Sequence, residues 1–98
     1  NLLKEDLTLR IENGAGIPGV AGRTQGIMED FGYVVGSIGN ADEIGRTTTL
    51  LRFKPEAKKY QELLSGDMAD FFDVEVGEDL SDDAVYDVLI IIGTDAEI

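Results

Sequence analysis

Leu7, Leu9 and Ile11 alternate with Thr8, Arg10 and Glu12, the period of a strand with one buried and one wet face. The turn-rich stretch NGAGIPG, Asn13 to Gly19, ends it, and Pro18 suits the first turn of a helix. Ile17, Val20, Ala21, Thr24, Ile27, Met28 and Phe31 then recur at three- and four-residue spacing, which predicts a helix with one stripe facing a core and Gly32 as its stop. Gly22 and Gly26 are costly inside a helix, by about 1 kcal/mol each, so their presence predicts close packing against a sheet. Tyr33 to Ile38 reads as a second strand, Gly39 to Arg46 as a polar loop, and Thr47 to Phe53 as a third strand. After Lys54 and Pro55 a second helix places Ala57, Tyr60, Leu63, Leu64 and Met68 on one side. Phe72, Val74 and Val76 alternate with Asp73 and Glu75 as a half-exposed fourth strand. The run from Val88 to Ile92 has no alternation, so it predicts a strand that is central or covered on both faces.

The order is βαββαββ, a mixed sheet with two helices, and each half reads strand, Pro-initiated helix, strand, as a loose duplication would. Wet faces on the first and fourth strands favour an α+β two-layer sandwich with both helices on one side. The apolar last strand keeps a three-layer α/β arrangement as the alternative, and strand order stays open.

The chain of 98 residues is the size of one domain, and its hydrophobic (43%) and charged (29%) fractions are those of a folded globular chain. Its first residue is Asn1 rather than Met, so residues 1–98 are expected to be one domain excised from a longer protein. The longest aliphatic run is far short of the about 20 residues of a membrane span, so no membrane insertion by this stretch is expected. Twenty acids against eight bases give a net charge of −12, and beyond Lys59 there is no base at all. That half repels phosphate backbones, which argues against nucleic acid as a partner. A solvated acidic face explains it better than a cation site. Asp79, Ser81 and Asp83 have the first spacings of a calcium loop, but Ala84 and Ile90 stand where that loop needs Gly and Glu.

With no Cys and no His, thiol nucleophiles, imidazole bases and the common zinc sites are missing, and Ser37, Ser65 and Ser81 fit no triad spacing. The expectation is therefore no enzyme, no cofactor and no metal. Gly14, Gly16 and Gly19 form a literal G-x-G-x-x-G between a strand and a helix. The half-polar first strand and the short chain oppose a dinucleotide site, and Asp42 follows a loop rather than closing the second strand. A tight structural turn is favoured, with Asn13 tolerating left-handed backbone. Anion or nucleotide capture by the exposed amides is the alternative.

The stretch LRIENGAGIPGVAG from Leu9 to Gly22 resembles the opening of the LytR C-terminal domain family, a strand followed by N-G-[TS]-G-x-x-G-x-A. Phe31 to Val35 looks like that family's passage from first helix to second strand, and Gly39 to Asp42 like its N-A loop. Thr49 to Phe53 resembles its T-x-V-x-Y strand, and Val88 to Asp95 its closing V-V-V-L-G-x-D. Ala15 stands where Thr or Ser is usual, and Phe53 where Tyr is common. The resemblance implies a bacterial, extracytoplasmic accessory domain of a membrane-anchored cell-envelope protein. Such domains often follow a LytR-CpsA-Psr domain that transfers polyprenyl-linked glycopolymers, and the catalytic residues belong to that other domain.

The resulting expectation is a non-catalytic binding or scaffolding module whose partner is a cell-wall polymer or another envelope protein. Its contact residues are expected among Asn13, Gly14, Gly16, Gly19, Arg23, Asn40, Asp42 and Arg46. A spacer or dimerisation domain is the competing reading, and the sequence leaves the oligomeric state open.

Overall fold

The computed structural model describes all 98 residues. Seven elements run β1 (Thr8–Asn13), α1 (Val20–Asp30), β2 (Val34–Asn40), β3 (Thr49–Phe53), α2 (Gln61–Met68), β4 (Val74–Val76) and β5 (Val88–Ile92). They form a five-stranded mixed sheet in the order β2-β1-β5-β3-β4. β1 is parallel to β2 and β5, whereas β3 is antiparallel to β5 and parallel to β4. The two predicted halves are thus two strand–helix–strand units of parallel strands, running in opposite senses on either side of β5. This central position explains why β5 shows no alternation.

Val88, Ile90 and Ile92 of β5 join Leu9, Ile11, Leu51 and Phe53 in one buried cluster with Val20, Ala21 and Met28 of α1 and Leu64 and Met68 of α2. Both helices therefore lie on one face. The opposite face carries Arg10, Glu12, Leu50, Arg52, Leu89 and Ile91 and has no helix over it, so the chain forms the two-layer sandwich and not the three-layer alternative.

Several local expectations need correction. Helix α1 starts at Val20, because Gly19 stands before it with φ +77° and Pro18 belongs to the preceding turn. Gly22 and Gly26 are exposed, and a Cβ at either would meet nothing within 4 Å, so neither is packed against the sheet. β2 runs on to Asn40, which takes Gly39 and Asn40 out of the loop and pairs them with Glu12 and Asn13. β3 begins at Thr49 and β4 at Val74, leaving Phe72 buried just outside the sheet. The second helix opens as a 3-10 segment, Pro55–Tyr60, before α2 begins. A short 3-10 turn at Lys4–Asp6 has no hydrophobic period to announce it. It is held by the Tyr60 hydroxyl donating to the Leu3 carbonyl at 3.0 Å and by a 2.9 Å ion pair from Lys4 to Asp67.

Candidate functional site

Asn13 ends β1 and folds the glycine turn around its own side chain. Its Oδ1 accepts the N–H groups of Ala15 (3.1 Å) and Gly16 (3.0 Å), and its Nδ2 donates to the Ile17 carbonyl at 2.8 Å. This is an Asx-type turn. Asn13 does not adopt left-handed backbone as expected; no residue other than glycine has positive φ. Gly16 does, at φ +74°, and a Cβ there would lie 2.5 Å from the Ile44 Cγ2.

That contact shows how near the second loop is. The Gly14 carbonyl accepts the N–H groups of Gly45 (2.8 Å) and Arg46 (3.1 Å), and the Ala41 N–H donates to the Asn13 carbonyl at 3.1 Å. Thr94, just past β5, donates its N–H to the Arg46 carbonyl at 2.8 Å. The two segments singled out in the sequence are thus one hydrogen-bonded structure at the end of the sheet where β1, β2 and β5 all terminate. Open parallel sheets generally place their ligand crevices at this end.

The same bonds consume donors that an anion would need. Gly14 N–H goes to the Ile92 carbonyl at 3.0 Å, and those of Ala15 and Gly16 go to Asn13. Arg23 leaves the first turn of α1 and donates to the Pro18 carbonyl at 3.2 Å. It does not reach the second loop's cavity.

Beneath residues 41–46 the open sheet face forms a cavity of about 560 Å³, with Leu89 and Ile91 as its apolar floor and Glu12, Asp42, Arg46 and Arg52 among its polar walls. Of the eight residues expected from sequence, Asp42 and Arg46 line this cavity. Asn13, Gly14 and Gly16 build the turn that anchors its roof, Asn40 closes β2 beside Asn13, and Gly19 and Arg23 stand at the α1 end. Sequence reasoning missed Glu12, Arg52, Leu89 and Ile91. Their signal was the polar alternation of β1 and the unalternating β5, which together describe a half-open face.

Charge on this face is largely paired. Arg10 bonds Glu12 at 2.9 Å and donates to the Ser37 hydroxyl at 3.0 Å. Arg46 bonds Glu75 at 2.7 Å, and the Thr48 hydroxyl donates to the same oxygen at 2.6 Å. The Thr48 hydrogen bond is the main cause holding the Glu75 carboxyl below its ordinary value, with the Arg46 charge acting in the same direction against some desolvation. Arg52 instead donates to the Glu78 and Asp79 carbonyls at 3.1 and 3.3 Å. The cavity therefore combines an apolar floor with two arginines, Arg46 and Arg52, held in place by hydrogen bonds, an arrangement suited to non-covalent contact. In the acidic loop, Asp79 pairs with Lys58 at 3.0 Å and the Ser81 hydroxyl accepts the Asp83 N–H.

A sequence family described as LytR cell envelope-related transcriptional attenuator matches residues 6–95. The fold is similar to the crystal structure of the soluble domain of a conserved hypothetical secreted protein from Mycobacterium marinum, with 20% identity and a TM-score of 0.74. The alignment covers 96% of this chain and 63% of that one, so the chain spans under two thirds of that domain's length. At this identity the likeness concerns the fold. No curated protein matches the chain in sequence.

Proposed function

The chain belongs to the LytR cell-envelope-related family, and from that premise we propose that it is a non-catalytic accessory domain on the outer side of the bacterial membrane, carried by a membrane-anchored parent. It contacts a cell-wall glycopolymer or another envelope protein through the surface made by residues 13–19 and 40–46. The observation that supports this reading most is the tie between the two loops, Gly45 and Arg46 N–H onto the Gly14 carbonyl, which holds Asp42 and Arg46 over an apolar-floored cavity. A pre-formed rim of this kind lowers the ordering cost of binding.

Phosphate or nucleotide capture by the glycine turn is the weaker reading, because the Gly14, Ala15 and Gly16 amides already have acceptors inside the chain. The same internal satisfaction favours a spacer domain as the second reading.

Gly16→Val is a poor discriminator, since its backbone and the Ile44 methyl penalise a side chain there under every reading. Side-chain variants are cleaner. Co-sedimentation with purified cell-wall sacculi is expected to retain the chain, with the Asp42→Ala, Arg46→Ala double variant folded but bound about tenfold more weakly. Equal recovery of both in the supernatant contradicts wall binding and favours the spacer.

A further inference from the structure

We propose that the β2 edge, Val34–Asn40, is a self-association surface on which β2 of a second copy pairs antiparallel across a two-fold axis. β2 has one neighbour, β1, and no backbone bond of residues 34–40 runs to anything else, so its outward N–H and C=O groups have no partner within the chain. Its sequence, VVGSIGN, contains no charge and no proline, and Val34 and Ile38 are each 44% exposed. Such an edge is a template for another strand, and natural sheets normally blunt it with charge, proline or brevity.

The opposite edge is blunted in that way. β4 has three residues, one of them Glu75, follows Asp73 and is succeeded by Gly77 and Glu78. β2 carries one protective device, a bulge that leaves Gly36 out of register, but Ser37 to Asn40 stay in regular register with Arg10 to Asn13.

Charge selects the occupant. Phe31 to Ala41 is the longest uncharged run in the chain, whereas Asp73, Glu75 and Glu78 lie on or beside β4 at the opposite edge. Two copies meeting at β2 join strands with no charge of their own, the Arg10 guanidinium that lies over Ser37 and Gly39 being paired to Glu12, and keep the acidic β4 edges at the far ends of one continuous sheet. A self-complementary strand satisfies the two-fold requirement without further fitting. Ile38 shares the helical face with Ile11, so a two-fold axis at Ile38 sets it against its own counterpart and sets Ser37 against Gly39. This surface meets the proposed ligand site only at Asn40, the last residue of β2, and Ile38, on which the pairing is tested, lies outside that site, so the two readings stand or fall independently.

Sedimentation velocity of the 98-residue chain from ~10 μM to ~1 mM tests the pairing. The expected result is a reversible species of twice the 10.6 kDa chain mass, together with hydrogen exchange at outward amides of β2 that slows as concentration rises. Ile38→Lys sets like charges opposite each other and is expected to weaken association at least about tenfold. Val76→Lys, on the β4 edge, is expected to leave it unchanged. A monomer at every concentration, a dimer that Ile38→Lys leaves intact, or exchange in β2 that ignores concentration would each overturn the proposal, and the last of these needs no variant to fold.

Discussion

The Thr49 hydroxyl donates to the Asp95 carboxylate, 46 residues away in sequence, at 3.0 and 3.1 Å to its two oxygens, and accepts the Gly93 N–H at 3.2 Å. Thr49 is fully buried, and the same Asp95 carboxylate accepts the Asp73 N–H at 2.6 Å. One hydroxyl and one carboxylate thereby join the start of β3, the approach to β4 and the exit from β5. A Cβ at Gly93 would lie 2.5 Å from Asp95 Oδ1 and closer still to the Thr48 carbonyl, so the close approach requires glycine. Thr49, Gly93 and Asp95 are residues through which the chain resembles its family, and their role here is structural.

Thr49→Val keeps the shape but leaves the buried Gly93 N–H and a carboxylate oxygen without a partner. Urea unfolding is expected to show a loss of about 1–3 kcal/mol, with Thr49→Ser losing much less. A Thr49→Val chain as stable as the parent contradicts the clamp.

Tyr33 is buried, and its hydroxyl donates to Asp67 at 2.6 Å. Burial first, then the hydrogen bond and charge of Asp67, push its phenol well above the ordinary value of 10.0. The folded state therefore keeps a proton that the unfolded chain releases. The stabilisation is complete below pH 10.0 and is lost as pH rises beyond it, at about 1.4 kcal/mol per pH unit from this one group. Absorbance titration is expected to show one of the three tyrosines ionising only with unfolding. Three phenolates formed in a folded chain refute this.

Glu75 titrates in the opposite sense. Its lowered folded value stabilises the fold above the ordinary carboxylate value of 4.5, and that contribution fades as pH falls through the folded value. Carboxyl-carbon NMR of Thr48→Ala should move Glu75 back up toward 4.5 more than it moves any other glutamate; an unmoved Glu75 means the Thr48 bond is not the cause.

Two glycines should answer the same substitution with opposite signs. Gly22 lies on the exposed side of α1 with open space at its Cβ, so Gly22→Ala is expected to stabilise by about 0.5–1 kcal/mol. Gly16→Ala meets left-handed backbone and the Ile44 methyl and is expected to destabilise by about 1 kcal/mol or more. Thermal melts of the two variants check both signs.

The hydrophobic pattern, alternating or continuous, read the strands that carry the core. Leu7, Leu9 and Ile11 marked β1, and Val88 to Ile92 gave β5 its observed bounds and its central place. It failed where tertiary contacts decide. Gly39 and Asn40 look like loop residues, yet β1 recruits them as strand partners, and the Lys4–Asp6 turn depends on Asp67 and Tyr60 from distant segments. In the candidate site the two loops were legible from their turn residues. The cavity floor was not, because Leu89 and Arg52 become neighbours only when β3 runs antiparallel to β5.

The most direct test of the proposed binding surface is an amide chemical-shift titration of this chain with soluble peptidoglycan fragments and, separately, a polyprenyl phosphate analogue. Saturable shifts are expected, centred on residues 40–46 and reaching Asn13 and Gly14 through their hydrogen bonds, with the acidic loop from Gly77 to Tyr86 unmoved. An unchanged spectrum with both ligands would contradict a cell-wall glycopolymer as the partner, and shifts confined to that acidic loop would contradict the surface itself.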